Sequence, residues 1–165
     1  MSLFDRRGIL AGLGALALTG ACGFRPVYGD GGTGRVLRNA VRADDPATRG
    51  DYQFLHALEE ALGRPTAPRF ALAYTLSTRE VGGGSVEDFG TTRVQLFGTA
   101  DFTLTDIASG AVLAQGQVSA TSVYSTTGSQ LATLAAAEDA ALRLMRMLAD
   151  SLVTRLYTEP GLPTA

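Results

Sequence analysis

Three segments in the middle of the chain alternate apolar and polar side chains with a period of two, and this alternation limits the folds open to it. Over residues 70–79, Phe70, Leu72, Tyr74 and Leu76 fall on one side, with Ala71, Ala73, Thr75 and Ser77 on the other. Residues 93–105 repeat the pattern, with Val94, Leu96, Ala100, Phe102 and Leu104 opposite Arg93, Gln95, Thr99, Asp101 and Thr103. A third run sets Val112, Ala114, Val118 and Ala120 against Gln115, Gln117, Ser119 and Thr121. One apolar and one polar face predict strands of an antiparallel sheet covered on one side only. Asp106 to Gly110 reads as the hairpin loop between the last two, with Gly110 free to take a positive φ.

The cover for the apolar face comes from two helical segments. From Ser129 to Tyr157 the period becomes helical, with Leu134, Ala137, Ala141, Met145, Leu148, Leu152 and Leu156 at spacings of three and four. A first helix is expected over about Asp51–Leu62, with Tyr52, Leu55, Leu58 and Leu62 on one face and Gly63 and Pro65 ending it. Before it, Val36, Leu37 and Val41 suggest a short strand within Arg35–Val41, broken off by Asp44, Asp45, Pro46 and Gly50. The order β-α-β-β-β-α predicts an α+β fold, a two-layer sandwich. Its sheet has about four mainly antiparallel strands, and two helices pack on one face. Residues 35–158 are expected to form this single domain, and residues 159–165, with two prolines, a flexible tail.

The N-terminus reads as an address rather than as part of that sandwich. Arg6 and Arg7 precede an uncharged stretch, Gly8 to Ala21, that is too short to span a bilayer as a helix and has no polar face. A basic flank, a short apolar core and small residues at its end are the pattern of an export signal over residues 1–21. The segment from Asp5 to Leu10 also loosely resembles a twin-arginine motif, a pattern shared by ordinary signals. Gly20 and Ala21 before Cys22 resemble a lipobox, the cleavage site of bacterial lipoproteins, although Thr19 stands where leucine is commonest. Cys22 is the only cysteine, and lipidation would give this lone thiol of an exported protein a use. Several acyl chains would then hold the mature protein on a membrane, with residues 22–34 as a tether.

Composition narrows the function. The formal net charge is −2, and loss of the signal removes two arginines and one aspartate, so a broad electrostatic grip on nucleic acid is not expected. His56 is the only histidine and has no second histidine or cysteine to complete a metal site, so no metal or cofactor is expected. No serine sits in a G-x-S-x-G elbow. The run from Val81 to Ser85 lacks the lysine of a phosphate-binding loop and reads as a mobile hairpin tip, and Glu87 and Asp88 read as solvated acids. The inventory favours binding over catalysis. If strands 70–79 and 93–105 form a hairpin, Arg79 and Arg93 flank its loop and approach each other at one end of the sheet. There they are candidates to receive phosphate or a partner's acids, or serve only to keep that end soluble. Residues 124–131 form an uncharged polar loop that suits an interface or a plain connector.

The residues Cys-Gly-Phe-Arg-Pro-Val-Tyr-Gly at 22–29 resemble the start of mature LptE, the lipopolysaccharide-assembly lipoprotein family. The element order and the closing helix are similar to that family's as well. The resemblance implies an outer-membrane lipoprotein, not an enzyme, that plugs the LptD β-barrel and helps move lipopolysaccharide to the outer leaflet. It also implies lipopolysaccharide as a possible direct ligand, with Arg79 and Arg93 as contacts to its phosphorylated head. Two other classes share parts of this pattern: an auxiliary lipoprotein of an ABC-type lipid or export system, and a lipid-tethered periplasmic hydrolase.

Overall fold

The computed structural model describes residues 27–29, 32–86, 90–126 and 129–162. The export segment and Cys22 lie outside the described residues, as do Glu87 and Asp88. Elements run in the order α1 (Thr33–Leu37), β1 (Val41–Ala43), α2 (Arg49–Leu62), β2 (Phe70–Val86), β3 (Gly90–Asp106), β4 (Val112–Ser125) and α3 (Gln130–Tyr157). The strands form one sheet in the order β1-β2-β3-β4, with β1 parallel to β2 and the other two pairs antiparallel. This is the expected α+β sandwich with a mainly antiparallel sheet.

The alternation places the core. Phe70, Leu72, Leu96, Ala100, Phe102, Leu104 and Ala114 are buried on the helix-facing side of the sheet. Helix α3 closes over them with Leu144, Leu148, Leu152 and Leu156, and α2 adds Phe54, Leu58 and Leu62. Each leucine or phenylalanine so withdrawn from water stabilises the fold by about 1.5–3 kcal/mol before entropy is counted. The Asp106–Gly110 turn forms as expected. Gly110 takes φ 70°, and the Asp106 carboxylate accepts hydrogen bonds from the Ala108 and Ser109 amides (3.1 and 2.9 Å) and from the Ser109 hydroxyl (2.9 Å). Those bonds hold the Asp106 carboxyl below the ordinary carboxylate range, the Ser109 amide contributing most.

Local expectations fail where the spacing fits two answers. The stretch expected as a strand over Arg35–Val41 is a short helix followed by a turn, and only Val41–Ala43 pairs with β2. Leu37 is fully buried from the helix instead. In α2 the buried face is Phe54, Ala57, Leu58 and Leu62, while Tyr52 is 63% exposed. Phe54 is wholly apolar where Tyr52 carries a hydroxyl, and its ring packs 5.0 Å from that of Tyr74. The helix starts at Arg49, because Thr48 and Asp51 form a reciprocal capping box. Leu134, expected on the inner stripe of α3, is 59% exposed, since burial along α3 begins at Ala140. Val112 is exposed too, because an irregularity at Leu104/Thr105 shifts the β3–β4 register by one residue there.

The largest difference concerns the run read as a hairpin tip. Residues 81–86 lie inside β2, and Gly83 pairs with Arg93 and Val86 with Gly90. The glycines do not end the strand because β3 continues opposite them, and a ladder on the neighbouring strand overrides weak local propensity. At the other end Leu162, within the segment expected to fray, is buried in the core cluster. Gly161 passes so close to β4 that a Cβ there would lie 2.9 Å from the Leu113 carbonyl oxygen.

Candidate functional site: the open face of the sheet

The helices cover one face, which leaves the other built from the odd-numbered positions of β2 and β3. Thr75 pairs with Asp101, Ser77 with Thr99 and Arg79 with Phe97, and β4 continues these rows with Gln117, Ser119 and Thr121. The surface is therefore one of hydroxyls, amides and a few charges. Asp101 accepts a hydrogen bond from the Gln117 side-chain amide at 2.8 Å, a cross-strand pair that orders the middle of the face. A shallow depression of about 440 Å³ lies between Ser77, Arg79, Phe97, Thr99, Ser119 and Thr121.

Arg79 and Arg93 both belong to this face, but the register keeps them apart. Arg79 stands opposite Phe97 and Arg93 opposite Gly83, a displacement of four residues along the ladder, or about 13 Å. The approach expected at a hairpin end is absent because the strands run on to Val86 and from Gly90, which puts Arg79 well inside β2. The Arg79 guanidinium carbon lies 4.6 Å from the centre of the Phe97 ring. Cation–π attraction holds the guanidinium over that ring. Arg93 is exposed beside Gly83 and Ser125. Neither arginine makes an ion pair with a described carboxylate.

Phe97 is the member of this site that the sequence reading passed over. It breaks the polar side of its own alternation, between Gln95 and Thr99, and an aromatic on a polar face is a signal in itself. His56 is exposed on α2 with Nδ1 3.6 Å from Glu60. Among the described residues no three metal-binding side chains cluster, and no helix is long and apolar enough to cross a membrane.

The tether is partly described. The Tyr28 hydroxyl lies 3.0 Å from that of Tyr157, and the two rings meet edge to face at 5.7 Å. Burial and the bond to Tyr28 raise the Tyr157 hydroxyl well above the usual phenol range. The Gly34 amide donates to the Val27 carbonyl at 3.0 Å, and a Cβ at Gly34 would collide with Val27. This close approach is open only to glycine.

Comparison with known proteins agrees with the architecture. The fold is shared with a candidate lipoprotein from Caulobacter crescentus CB15 (TM-score 0.63, 23% identity, 76% of this chain and 93% of that one). It is shared with the rare lipoprotein B of Shewanella oneidensis (TM-score 0.54, 11% identity, 71% and 91%). Lipoprotein B of Nitrosomonas europaea is also similar (TM-score 0.54, 12% identity, 74% and 84%). No curated protein matches the sequence. The family model described as LptE, lipopolysaccharide-assembly, matches residues 33–156, which takes in every strand and helix from α1 to the last turn of α3. The chain belongs to the LptE family of lipopolysaccharide assembly.

Proposed function

We propose that the chain is a non-enzymatic lipoprotein of the outer membrane. Residues 1–21 are removed on export, Cys22 carries the lipid, residues 22–34 act as the tether, and the domain over residues 35–158 supports and plugs an LptD-type barrel during lipopolysaccharide assembly. The observation that carries this reading is the open face of the sheet, a broad surface of threonine, serine and glutamine with two arginines and, among the described residues, no helix over it. A large barrel lumen is polar and wet, and a plug inside it needs such a face. Family membership supports the same assembly role. Arg79 and Arg93, spread along the face, act as separate contacts to phosphate on lipopolysaccharide or to acids on the barrel wall.

The test is gentle detergent extraction of outer membranes from cells carrying the tagged full-length chain, followed by mass identification of what co-purifies. Recovery of a large barrel in equal amount is expected. Recovery of inner-membrane transport components without a barrel refutes the reading in favour of an auxiliary lipoprotein of an ABC-type system. Replacing Cys22 by Ala is expected to release the chain from the membrane fraction. Arg79→Glu with Arg93→Glu is expected to weaken lipopolysaccharide binding with the fold intact, and unchanged binding removes the two arginines from the site.

A further inference from the structure

The two edges of the sheet are finished differently. On the outer side of β4 the Val123 carbonyl accepts a hydrogen bond from the Arg143 guanidinium at 3.0 Å, and Gly161 lies against the Leu113 carbonyl. That edge is guarded near both ends, as sheet edges usually are. The β2 edge is guarded only at its start. Phe70 N–H donates to the Ala40 carbonyl and the Leu72 carbonyl accepts from Asp44 N–H, both at 3.0 Å and both on the β1 side, whereas Arg69 faces β3 through its carbonyl to Ile107. Backbone groups alternate along a strand, so Leu76, Thr78 and Glu80 also point their N–H and C=O groups to the β1 side. β1 has already ended there, its last residue Ala43 paired with Leu72. Among the described residues, no backbone group pairs with these three on that side.

A groove of about 490 Å³ runs beside this open edge, between β2 and the segment leading into α2. Asp44, Asp45 and Asp51 line it together with Tyr74, Leu76 and Met145, and among the described residues no basic side chain does. The Tyr74 hydroxyl is buried there with no hydrogen-bond partner among the described residues. Burial first, then the charges of Asp51, Asp44 and Asp45, push that hydroxyl up to about 12, so it stays protonated and able to donate. An acidic groove, an unused donor and three outward peptide groups lie in one line.

We propose that the β2 edge from Leu76 to Glu80 takes an added strand from a partner protein, an extended segment whose basic side chain rests against Asp44 and Asp45. Main-chain hydrogen bonds would supply affinity, and the carboxylates would set register and preference. A second copy of this chain fits poorly. Antiparallel self-pairing about Ser77 sets each Glu80 opposite the other copy's Tyr74, beside the three aspartates, and like charges across a ladder destabilise it. The proposal goes beyond the barrel reading and does not rest on it, since edge and groove belong to the fold itself.

The test uses the full chain in mild detergent and a synthetic nine-residue peptide of alternating threonine and valine with one central arginine. Amide exchange is followed residue by residue by NMR. The peptide is expected to slow exchange at Leu76, Thr78 and Glu80 at least tenfold and to leave Ser77 and Arg79, already in the β2–β3 ladder, unchanged. Glutamate in place of the arginine should weaken binding at least tenfold, as should Asp44→Asn with Asp45→Asn, which leaves the backbone untouched. Thr78→Pro, which removes an outward N–H and none of the N–H groups that face β3, should abolish it. No slowing, or equal slowing by both peptides, overturns the proposal. So does concentration-dependent slowing without peptide accompanied by dimers in sedimentation, which would assign the edge to a second copy.

Discussion

Gly98 sits on the helix-facing side of β3, packed beneath α3. A Cβ built there would lie 2.9 Å from the Leu148 Cδ1, 3.1 Å from the Leu144 Cδ2 and 3.2 Å from the Leu144 Cγ. Ordinary carbon–carbon contact begins at about 3.5 Å, so Gly98→Ala must displace both leucines, which are almost wholly buried. Overpacking of this kind costs about 1–3 kcal/mol. At about 4 °C per kcal/mol for a domain of this size, the midpoint should fall by about 4–12 °C. Gly116 is the control. A Cβ there meets Phe102 at 3.6 and 3.7 Å, an ordinary contact, so Gly116→Ala should be neutral or should stabilise by about 0.4–1 kcal/mol through the unfolded chain.

A double-mutant cycle separates close packing from any general intolerance of alanine in β3. Leu148→Ala alone should cost about 2–5 kcal/mol by opening a cavity. With Leu148 shortened, the methyl group introduced by Gly98→Ala enters that space, so the double mutant should be more stable than the sum of the singles by about 1–3 kcal/mol. Urea unfolding of the full chain in non-ionic detergent, followed by circular dichroism, measures all four proteins. An additive double mutant, or Gly98→Ala within about 0.3 kcal/mol of the parent, a margin set by how well independent mutations add, would refute the packing argument.

Other consequences follow from single contacts. Thr48→Ala removes the capping box of α2 and should cost about 1 kcal/mol, read from the same urea titration. Gly63 has φ 80° and a Cβ there would overlap the Asn39 side chain, so Gly63→Ala should destabilise by more than about 1 kcal/mol. Asp106 has a lowered folded pKa, so its contribution is complete above the ordinary carboxylate pKa and is lost as pH falls through the lowered one. The gap in melting temperature between the parent and Asp106→Asn should therefore narrow as pH falls from 7 to 3, and a gap that widens would contradict the sign.

What the sequence made legible was whatever one element decides alone. Period two in residues 70–79 and 94–104 located β2, β3 and their buried face, and Asp106 with Gly110 located the turn, because side-chain direction and turn chemistry are local. What stayed hidden depended on a partner elsewhere in the chain. Gly82 to Gly84 read as a loop until β3 stood opposite them, and Arg79 read as a loop-flanking charge until the register put Phe97 beneath it. Tyr52 and Phe54 both fit a helical stripe, and only contact with Tyr74 decides between them. The open β2 edge is the extreme case, since it exists only because β1 stops at Ala43.

The elements also fix how a lipid on Cys22 would orient the domain. Tyr28 meets Tyr157 at the C-terminal end of α3, and Val27 meets Gly34 beside α1, so the tether joins the domain at the end where β2 begins and β3 finishes. Val27 lies five positions after Cys22, and covalent geometry limits that reach to about 17 Å. Helix α3 is 28 residues long, about 42 Å, so the far end of the β2–β3 hairpin stands several tens of ångströms from the anchor. Arg93 lies toward that far end, Arg79 midway, and the acidic groove between them and the anchored pole. A basic strand docked on the β2 edge would therefore engage the side of the domain, leaving the distal hairpin and the open face free for the barrel contact proposed above.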